Sequence, residues 1–386
     1  MRNHLPDILF SGIVAIRDKL LQHPDPIRME SGDPDFDTPE HIKEAVQKAL
    51  KDNKTHYAPS TGVKELREAM VKKINIKNNI TNISNPNNVL VTNGGMHGLF
   101  VAWNTLLNPG DEVIVPTPNW TASTWNIILA GGIPKSVKLH SQLEYRWNID
   151  EVKEKITSKT KAILINTPHN PSGGMLNKND LVELLKLVDE FGLYLVSDEA
   201  YEDVVFEGKH ISIASLANDF PESVQNKIIS CFTFSKSYAM TGWRLGYLAT
   251  SNNELITNMK KIILYTINGV STPTQYAGLA ALNGPQDFIQ QMCDIYHRRR
   301  DIFFEGVNKT KILHCDTKPH GSFYLYPKIM EAWGGSPEEL SDYLIEKYGI
   351  GSIPGKVFFD EERTLRFTFA CSDDMIKRAN EYLSNE

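Results

Sequence analysis

The sequence predicts an α/β fold. A mostly parallel seven-stranded sheet carries helices on both faces, giving three layers, and a smaller α+β domain follows. Three observations carry this. Over residues 89–232, short apolar runs of strand length alternate with segments of helical period. The run 244–250 follows the last of these after a connection too short for a parallel crossover, so it is expected to pair antiparallel. Around 273–285 the rhythm changes to a long helix, then short strands mixed with helices. At 386 residues the chain is long enough for about two domains with separate cores. The expected divisions are 1–38, an N-terminal segment packing with the small domain, then 39–284, the large domain, and 285–386, the small domain.

Taken in order, Ile13, Ile16 and Leu20 recur at helical spacing and predict an amphipathic lead-in helix over 11–21. After turn signals at Gly32, Pro34 and Pro39, a helix is expected from Pro39 to about Lys51, capped by Thr38. Tyr57 falls in a loop closed by Pro59 and Gly62. The helix after it buries Val63, Leu66, Met70 and Ile74 along one stripe. Residues 76–88 are rich in asparagine and read as a surface excursion. Strands are expected at 89–92, 112–115, 134–138, 162–166, 194–197 and 228–232, with helices between most of them, then the strand 244–250 and a helix at 253–268. In the small domain a helix over 287–307 leads to strands at 311–315 and 322–327. A helix at 337–348, strands at 349–353 and 364–369 and a last helix at 373–383 complete it.

Composition narrows the function classes. Hydrophobic content of 41% and charged content of 23% are ordinary for a soluble globular protein. A net charge of −6 gives no basic face for nucleic acid and no polybasic membrane patch. Cys231, Cys293, Cys315 and Cys371 lack CxxC spacing, so neither a metal site nor a disulfide framework is expected, and the expected compartment is a reducing cytoplasm. The opening twenty residues carry Asp7 and Asp18, without a long apolar run or small-residue cleavage site, so no secretory signal is expected. No stretch approaches the length of a membrane span.

The chemistry centres on FTFSKSYAMTGWRLGY, residues 232–247. It holds one lysine, Lys236, among small and hydroxylic residues, and one arginine, Arg244, eight positions on. A lysine that forms an imine must lose its proton, so it needs neighbours that lower its pKa. A fixed guanidinium does that and also holds a phosphate by paired hydrogen bonds. An imine-forming amine beside a phosphate clamp is what pyridoxal phosphate (PLP) requires. The turn NGGMHG follows a strand and opens a helix, whose first N–H groups can hold a phosphate. It is not the GxGxxG of a dinucleotide site. Trp120 lies just past a strand end, where an indole can stack on a flat ring. Asp198, in SDEAY, stands at a carboxyl strand end, where open α/β sheets bind ligands. Arg366, among the apolar residues of LRFTFA, needs an anionic partner. Taken singly, each also reads as ordinary structure: a surface lysine, a capping aspartate, a core tryptophan.

Taken together, these strings with NTPHNPSGG and GDPDFDTP resemble the class I/II aminotransferases, PLP-dependent enzymes of fold type I, over nearly the whole chain. The aspartate/aromatic branch is the most similar. The resemblance implies that Lys236 is the Schiff-base lysine and acid–base group, and that Asp198 keeps the pyridine nitrogen protonated. It implies that Asn170 and Tyr201 hydrogen-bond the phenolic oxygen while Trp120 stacks on the ring. Gly95 and Met96 would meet the phosphate through their backbone, with Arg244, Thr233 and Ser235 beside it. The family often carries a longer polar residue where Met96 stands, so only the backbone contact carries over. Arg366 would clamp the substrate α-carboxylate, with Asn170 and the backbone of Gly32 on the substrate side. Tyr57 would reach the phosphate of the neighbouring subunit, which implies a homodimer with shared active sites.

The implied reaction moves the amino group of an L-amino acid to a 2-oxo acid by a ping-pong mechanism. Two alternatives share the scaffold. One is a PLP-dependent lyase, either a C–S β-lyase or a ring-forming, ACC-synthase-like eliminating enzyme. The other is a PLP-sensing regulator fused to a DNA-binding module, against which stand the missing basic face and the lack of a helix-turn-helix pattern before Gly32. For the substrate side chain, His97 is a candidate second cation, and Trp125, His169 and Phe323 are candidates for an aromatic pocket.

Overall fold

The computed structural model describes residues 8–386. The large sheet contains β1 (Val89–Thr92), β2 (Glu112–Thr117), β3 (Ile133–Lys138), β4 (Thr160–Asn166), β5 (Tyr194–Asp198), β6 (Ile228–Thr233) and β7 (Gly246–Ala249). Their order is β1-β7-β6-β5-β4-β2-β3, and only β7 runs against its neighbours. The pleat sorts the apolar side chains onto two faces. Leu90, Val113, Leu164, Val196, Ile229 and Leu248 pack under the helices Gly94–Leu106 and Asn253–Thr266. Val91, Ile114, Ile163, Leu195, Ile228 and Tyr247 pack under the helices Lys64–Ile76, Lys178–Phe191 and Thr272–Asn283. This is the expected three-layer arrangement.

Its topology sets the place of the site. The carboxyl ends of β1, β4, β5 and β6 lie along one edge, and antiparallel β7 begins there, with Gly246 opposite both Thr92 and Thr233. Arg244, just before β7, therefore arrives at the edge where the parallel strands end.

The C-terminal part contains β8 (Leu313–His314), β9 (Tyr324–Leu325), β10 (Lys328–Ile329), β11 (Ile353–Pro354) and β12 (Leu365–Thr368), with β12 between β11 and β9. The helices Asp287–Val307 and Asp373–Leu383 pack on each other beside it. The same apolar cluster takes in Ile27 and Met29. Main-chain bonds bind them there, from Gly351 to Ile27 and from Thr368 to Met29. We keep the divisions 39–284 and 285–386, with the N-terminal segment on the smaller part, as a proposal that this packing supports. Residues 1–7 of that segment, including Asp7, lie outside the described residues.

Three local expectations are corrected. Thr38 does not cap the helix Glu40–Lys51: its hydroxyl donates to Ala239 O (2.7 Å) and accepts from Trp243 Nε1 (3.0 Å), tying this segment to the lysine loop. Residues 76–88 are not simply a surface excursion. Ile80 and Ile83 are buried, Asn78 donates to Glu202 (2.6 Å), and Asn88 donates to Thr250 O (3.1 Å). The strands expected at 311–315 and 322–327 shrink to two residues each and the one expected at 349–353 is displaced to Ile353–Pro354, because their flanks bend into turns and isolated bridges such as Ile27 with Ile350. No helix among the described residues is long and apolar enough to cross a membrane.

Candidate active site

The lysine sits in a one-turn helix, Phe234–Ser237, that β6 feeds directly. Thr233 starts this turn, its hydroxyl accepting from the Ser235 N–H at 3.2 Å and donating toward Ser235 Oγ at 3.0 Å. Lys236 Nζ donates to Gly32 O at 2.5 Å. Burial lowers the ammonium's pKa to about 8. Asp33 opposes that shift, Arg244 and Arg366 add to it, and Asp198 opposes it. The guanidinium thus acts as expected, but desolvation does more.

Arg244 has a left-handed backbone, φ 55°, which costs a side-chain-bearing residue on the order of 1 kcal/mol. That conformation aims its guanidinium back across the start of the helix Gly94–Leu106. Nη1 donates to Thr241 O at 2.8 Å. A Cβ on Gly94 would fall 2.6 Å from Nη2, the movable end of the arginine, and Gly94 itself has φ 80°, which is what calls for glycine here. Gly95 is under no such pressure, since its nearest neighbour would be Thr233 Cβ at 3.5 Å. Free N–H groups at a helix start and a guanidinium that no carboxylate pairs with, among the described residues, make an anion site.

At the end of β5, Asp198 is buried and accepts a single N–H, from Ala200, at 3.2 Å. Burial raises its carboxyl to about 7, and the Ala200 bond only partly opposes this. A cationic ring nitrogen against this carboxylate would stabilise its ionised form. Asn166, at the end of β4, donates to Asp198 O (3.1 Å) and accepts from Asn170 N–H (2.8 Å), which shapes the turn carrying Asn170.

Arg366, on β12, is only 1% exposed and has no carboxylate partner among the described residues. It donates to Asn170 Oδ1 (3.1 Å) and Glu30 O (2.7 Å), while its Nε has no partner. Its guanidinium carbon lies 4.4 Å from the Tyr324 ring and 4.7 Å from the Phe358 ring. A buried cation held only by neutral groups is costly until an anion reaches it.

One cavity of about 340 Å3 joins these groups. Gly32, Gly95, Met96, Trp120, Asn170, Asp198, Tyr201, Thr233, Ser235, Lys236, Arg244 and Arg366 all line it. Tyr57 does not: it is 91% exposed, beside Asn268 and Thr272 on the outer surface. Nor do the side-chain candidates. His97 is held between Asn93 N–H and Thr266 (3.1 and 3.3 Å). Trp125 lines a separate groove with Phe359. Burial pushes His169 down to about 3, its Nδ1 2.7 Å from the Ser172 hydroxyl. Phe323 packs edge-on behind Tyr201 at 5.2 Å.

The cavity also includes residues that the sequence did not mark as part of a site: Ile13, Asp33, Asn166, Thr241 and Tyr324. Asp33 and Asn166 stood inside quoted strings and were open to notice. Tyr324 gave no such signal. Its partner Tyr201, 2.8 Å away between hydroxyls, is 123 positions distant in sequence.

An amine, an anion clamp and a buried carboxylate facing one cavity define a site for an anionic aldehyde with a basic aromatic ring, built on an α/β scaffold. Comparison with known proteins gives the family. The family model described as "Aminotransferase class I and II" matches residues 24–383. The chain is 37% identical over 358 residues to a "Probable aspartate/prephenate aminotransferase" of Aquifex aeolicus, covering 91% of this chain and 88% of that protein. It is 35% identical to "Aromatic-amino-acid aminotransferase 2" of Thermococcus litoralis, covering 92% and 89%. The solved aspartate aminotransferase from Thermus thermophilus with maleate superimposes with a TM-score of 0.93 at 32% identity, covering 100% of this chain and 99% of that one. The chain belongs to the class I and II aminotransferases, which are PLP-dependent enzymes.

Proposed function

We propose that this aminotransferase moves the amino group of an L-amino acid to a 2-oxo acid by a ping-pong cycle, with aspartate/aromatic-type or broad specificity. The observation that carries the reading is the convergence of Lys236, Asp198, Arg244 and Arg366 on one cavity. When bound, PLP supplies an electron sink for the substrate α-carbon.

The chain's own residues do the rest. Arg244 and the N–H groups of Gly95 and Met96 would hold the phosphate, with Thr233 and Ser235 beside them. Trp120 would cover the ring, Asp198 would keep its nitrogen protonated, and Asn170 and Tyr201 would bond its phenolic oxygen. Arg366 would take the substrate α-carboxylate, with Gly32 on the same cavity wall. Lys236 Nζ would take up the substrate's α-proton and give it back from the same atom, acting as base and then as acid. An amine already lowered to about 8 suits both steps near neutral pH.

Ile13, Trp120 and Tyr324 line the cavity beside Arg366, which supports aromatic and apolar donors within that range. The relatives' names support both aspartate and aromatic substrates. The exposed Tyr57 supports a homodimer in which it reaches the partner's phosphate. Four buried, unpaired cysteines support a reducing cytoplasm.

The test is a donor screen. Each amino acid is added to the PLP-loaded protein, and loss of the cofactor's visible absorbance is followed with and without a 2-oxo acid. Aminotransfer predicts that the absorbance returns only with the acceptor. Continuous keto-acid release without any acceptor would overturn the reading in favour of an eliminating enzyme.

A further inference from the structure

Tyr324 is buried, lines the cavity, and meets two of the groups that the proposed mechanism uses. On β9 it stands opposite Thr368 of β12, so Arg366 is its diagonal neighbour on the same face of that sheet. The Arg366 guanidinium carbon lies 4.4 Å from the centre of its ring. Its hydroxyl lies 2.8 Å from the hydroxyl of Tyr201. Gly32 makes room for that hydroxyl, since a Cβ at Gly32 would fall 2.4 Å from Tyr324 Oη. The contact is therefore built from three separate segments of chain.

We propose that Tyr324 is a positioning residue linking the substrate-carboxylate clamp to the cofactor's phenolic oxygen: its hydroxyl donates to Tyr201, and its ring carries Arg366. This rests on the reading of the site given above. A phenol has one proton. If Tyr201 spends its proton on Tyr324, none remains for the cofactor. Donation from Tyr324 frees the Tyr201 proton and, along a hydrogen-bonded chain, strengthens Tyr201 as a donor.

The charges around the pair favour this direction. They are Arg366 from β12, Asp198 at the end of β5, Lys236 from the one-turn helix and Asp33 from the loop after Gly32. Burial pushes both phenols up. On Tyr324, Arg366 is the first group to oppose that push, ahead of the Tyr201 bond and the contrary pull of Asp33. On Tyr201, the Asp198 carboxylate adds to the push. With the Arg366 cation 4.4 Å from its ring, Tyr324 is the phenol that the cation favours as donor.

The test compares Tyr324→Phe and Tyr324→Leu with the unmodified protein, all loaded with PLP. The first readout is the pH midpoint of the cofactor's visible absorbance change, which reports loss of the proton held between the Lys236 nitrogen and the phenolic oxygen. Weakening the Tyr201 donor makes that oxygen more basic, so the proton leaves at higher pH. Tyr324→Phe should raise the midpoint by roughly half a unit or more, with KM for the amino donor within about twofold. Tyr324→Leu should raise the midpoint likewise and increase KM about fivefold, because the ring under Arg366 is lost as well. A folded Tyr324→Phe variant with an unmoved midpoint would overturn the inference alone. An unmodified protein with no pH-dependent visible band would overturn the site reading and this inference with it.

Discussion

The Lys236 amine shows how little a residue's name says about its chemistry. Its lowered pKa comes first from burial at the end of β6, and the neighbouring guanidinia only add to that. The neutral amine is the nucleophile, so cofactor capture by the cofactor-free chain should depend on pH. The rate should rise about tenfold per unit below the midpoint and level off above pH 8 or so. Stopped-flow mixing with PLP measures this directly. Lys236→Ala should show neither the lysine-linked absorbance nor turnover, with a loss of roughly a thousandfold or more. A midpoint near the ordinary lysine value would contradict the burial described here. Arg366 offers a second check at this scale. Lysine cannot reproduce a two-pronged bond to a carboxylate. Arg366→Lys should lower kcat/KM for the donor by roughly a hundredfold while leaving PLP affinity unchanged.

One scale up, the start of the helix Gly94–Leu106 depends on close backbone approach. Gly94 has φ 80° and lies under the Arg244 guanidinium, and a Cβ at Gly246 would come within 2.9 Å of Gly95 N. Gly94→Ala therefore faces backbone strain and must push the Arg244 guanidinium aside. It should cost about 1–3 kcal/mol of stability and raise the PLP dissociation constant about tenfold, read by thermal melting and by cofactor titration. Gly95→Ala should be much milder, because its Cβ would meet only Thr233 at ordinary contact distance. NGGMHG looked like one unit in the sequence, with Gly95 as the residue matched to the phosphate. The geometry gives the two glycines different duties. Thr38 teaches the same lesson: capping statistics favoured it, but Ala239 and Trp243, some 200 positions away, took its hydroxyl.

For the whole molecule, the proposed dimer makes a prediction that no single chain can. Tyr57 is exposed and does not line its own cavity, so the proposed role at a phosphate is one in the partner. A mixed dimer of Tyr57→Ala and Lys236→Ala chains contains one site with both native residues if Tyr57 acts across the interface. Activity at wild-type PLP affinity should then appear on mixing the two variants, which singly show weak binding or none. If mixing restores nothing while co-purification of differently tagged chains shows mixed dimers, the shared-site reading fails. The arrangement of parts supports the same view. Strand order brings four carboxyl ends and the start of β7 to one edge, and β12 supplies Arg366 from the smaller part. The site exists only where these pieces meet.

The sequence by itself determined the sheet, most helix limits, the family and twelve lining residues. Local signals suffice for these: apolar period, turn residues and short strings whose chemistry is carried within a few positions. Tertiary structure alone decided which groups lost water and which distant side chains met. Burial, not neighbouring charge, leads the lowering of Lys236 and the raising of Asp198. His97, Trp125, His169 and Phe323 had suitable chemistry but fell outside the cavity, while Ile13 and Tyr324 fell within it. Desolvation and long-range contact depend on where the chain returns in space, and no local pattern of residue types encodes that return.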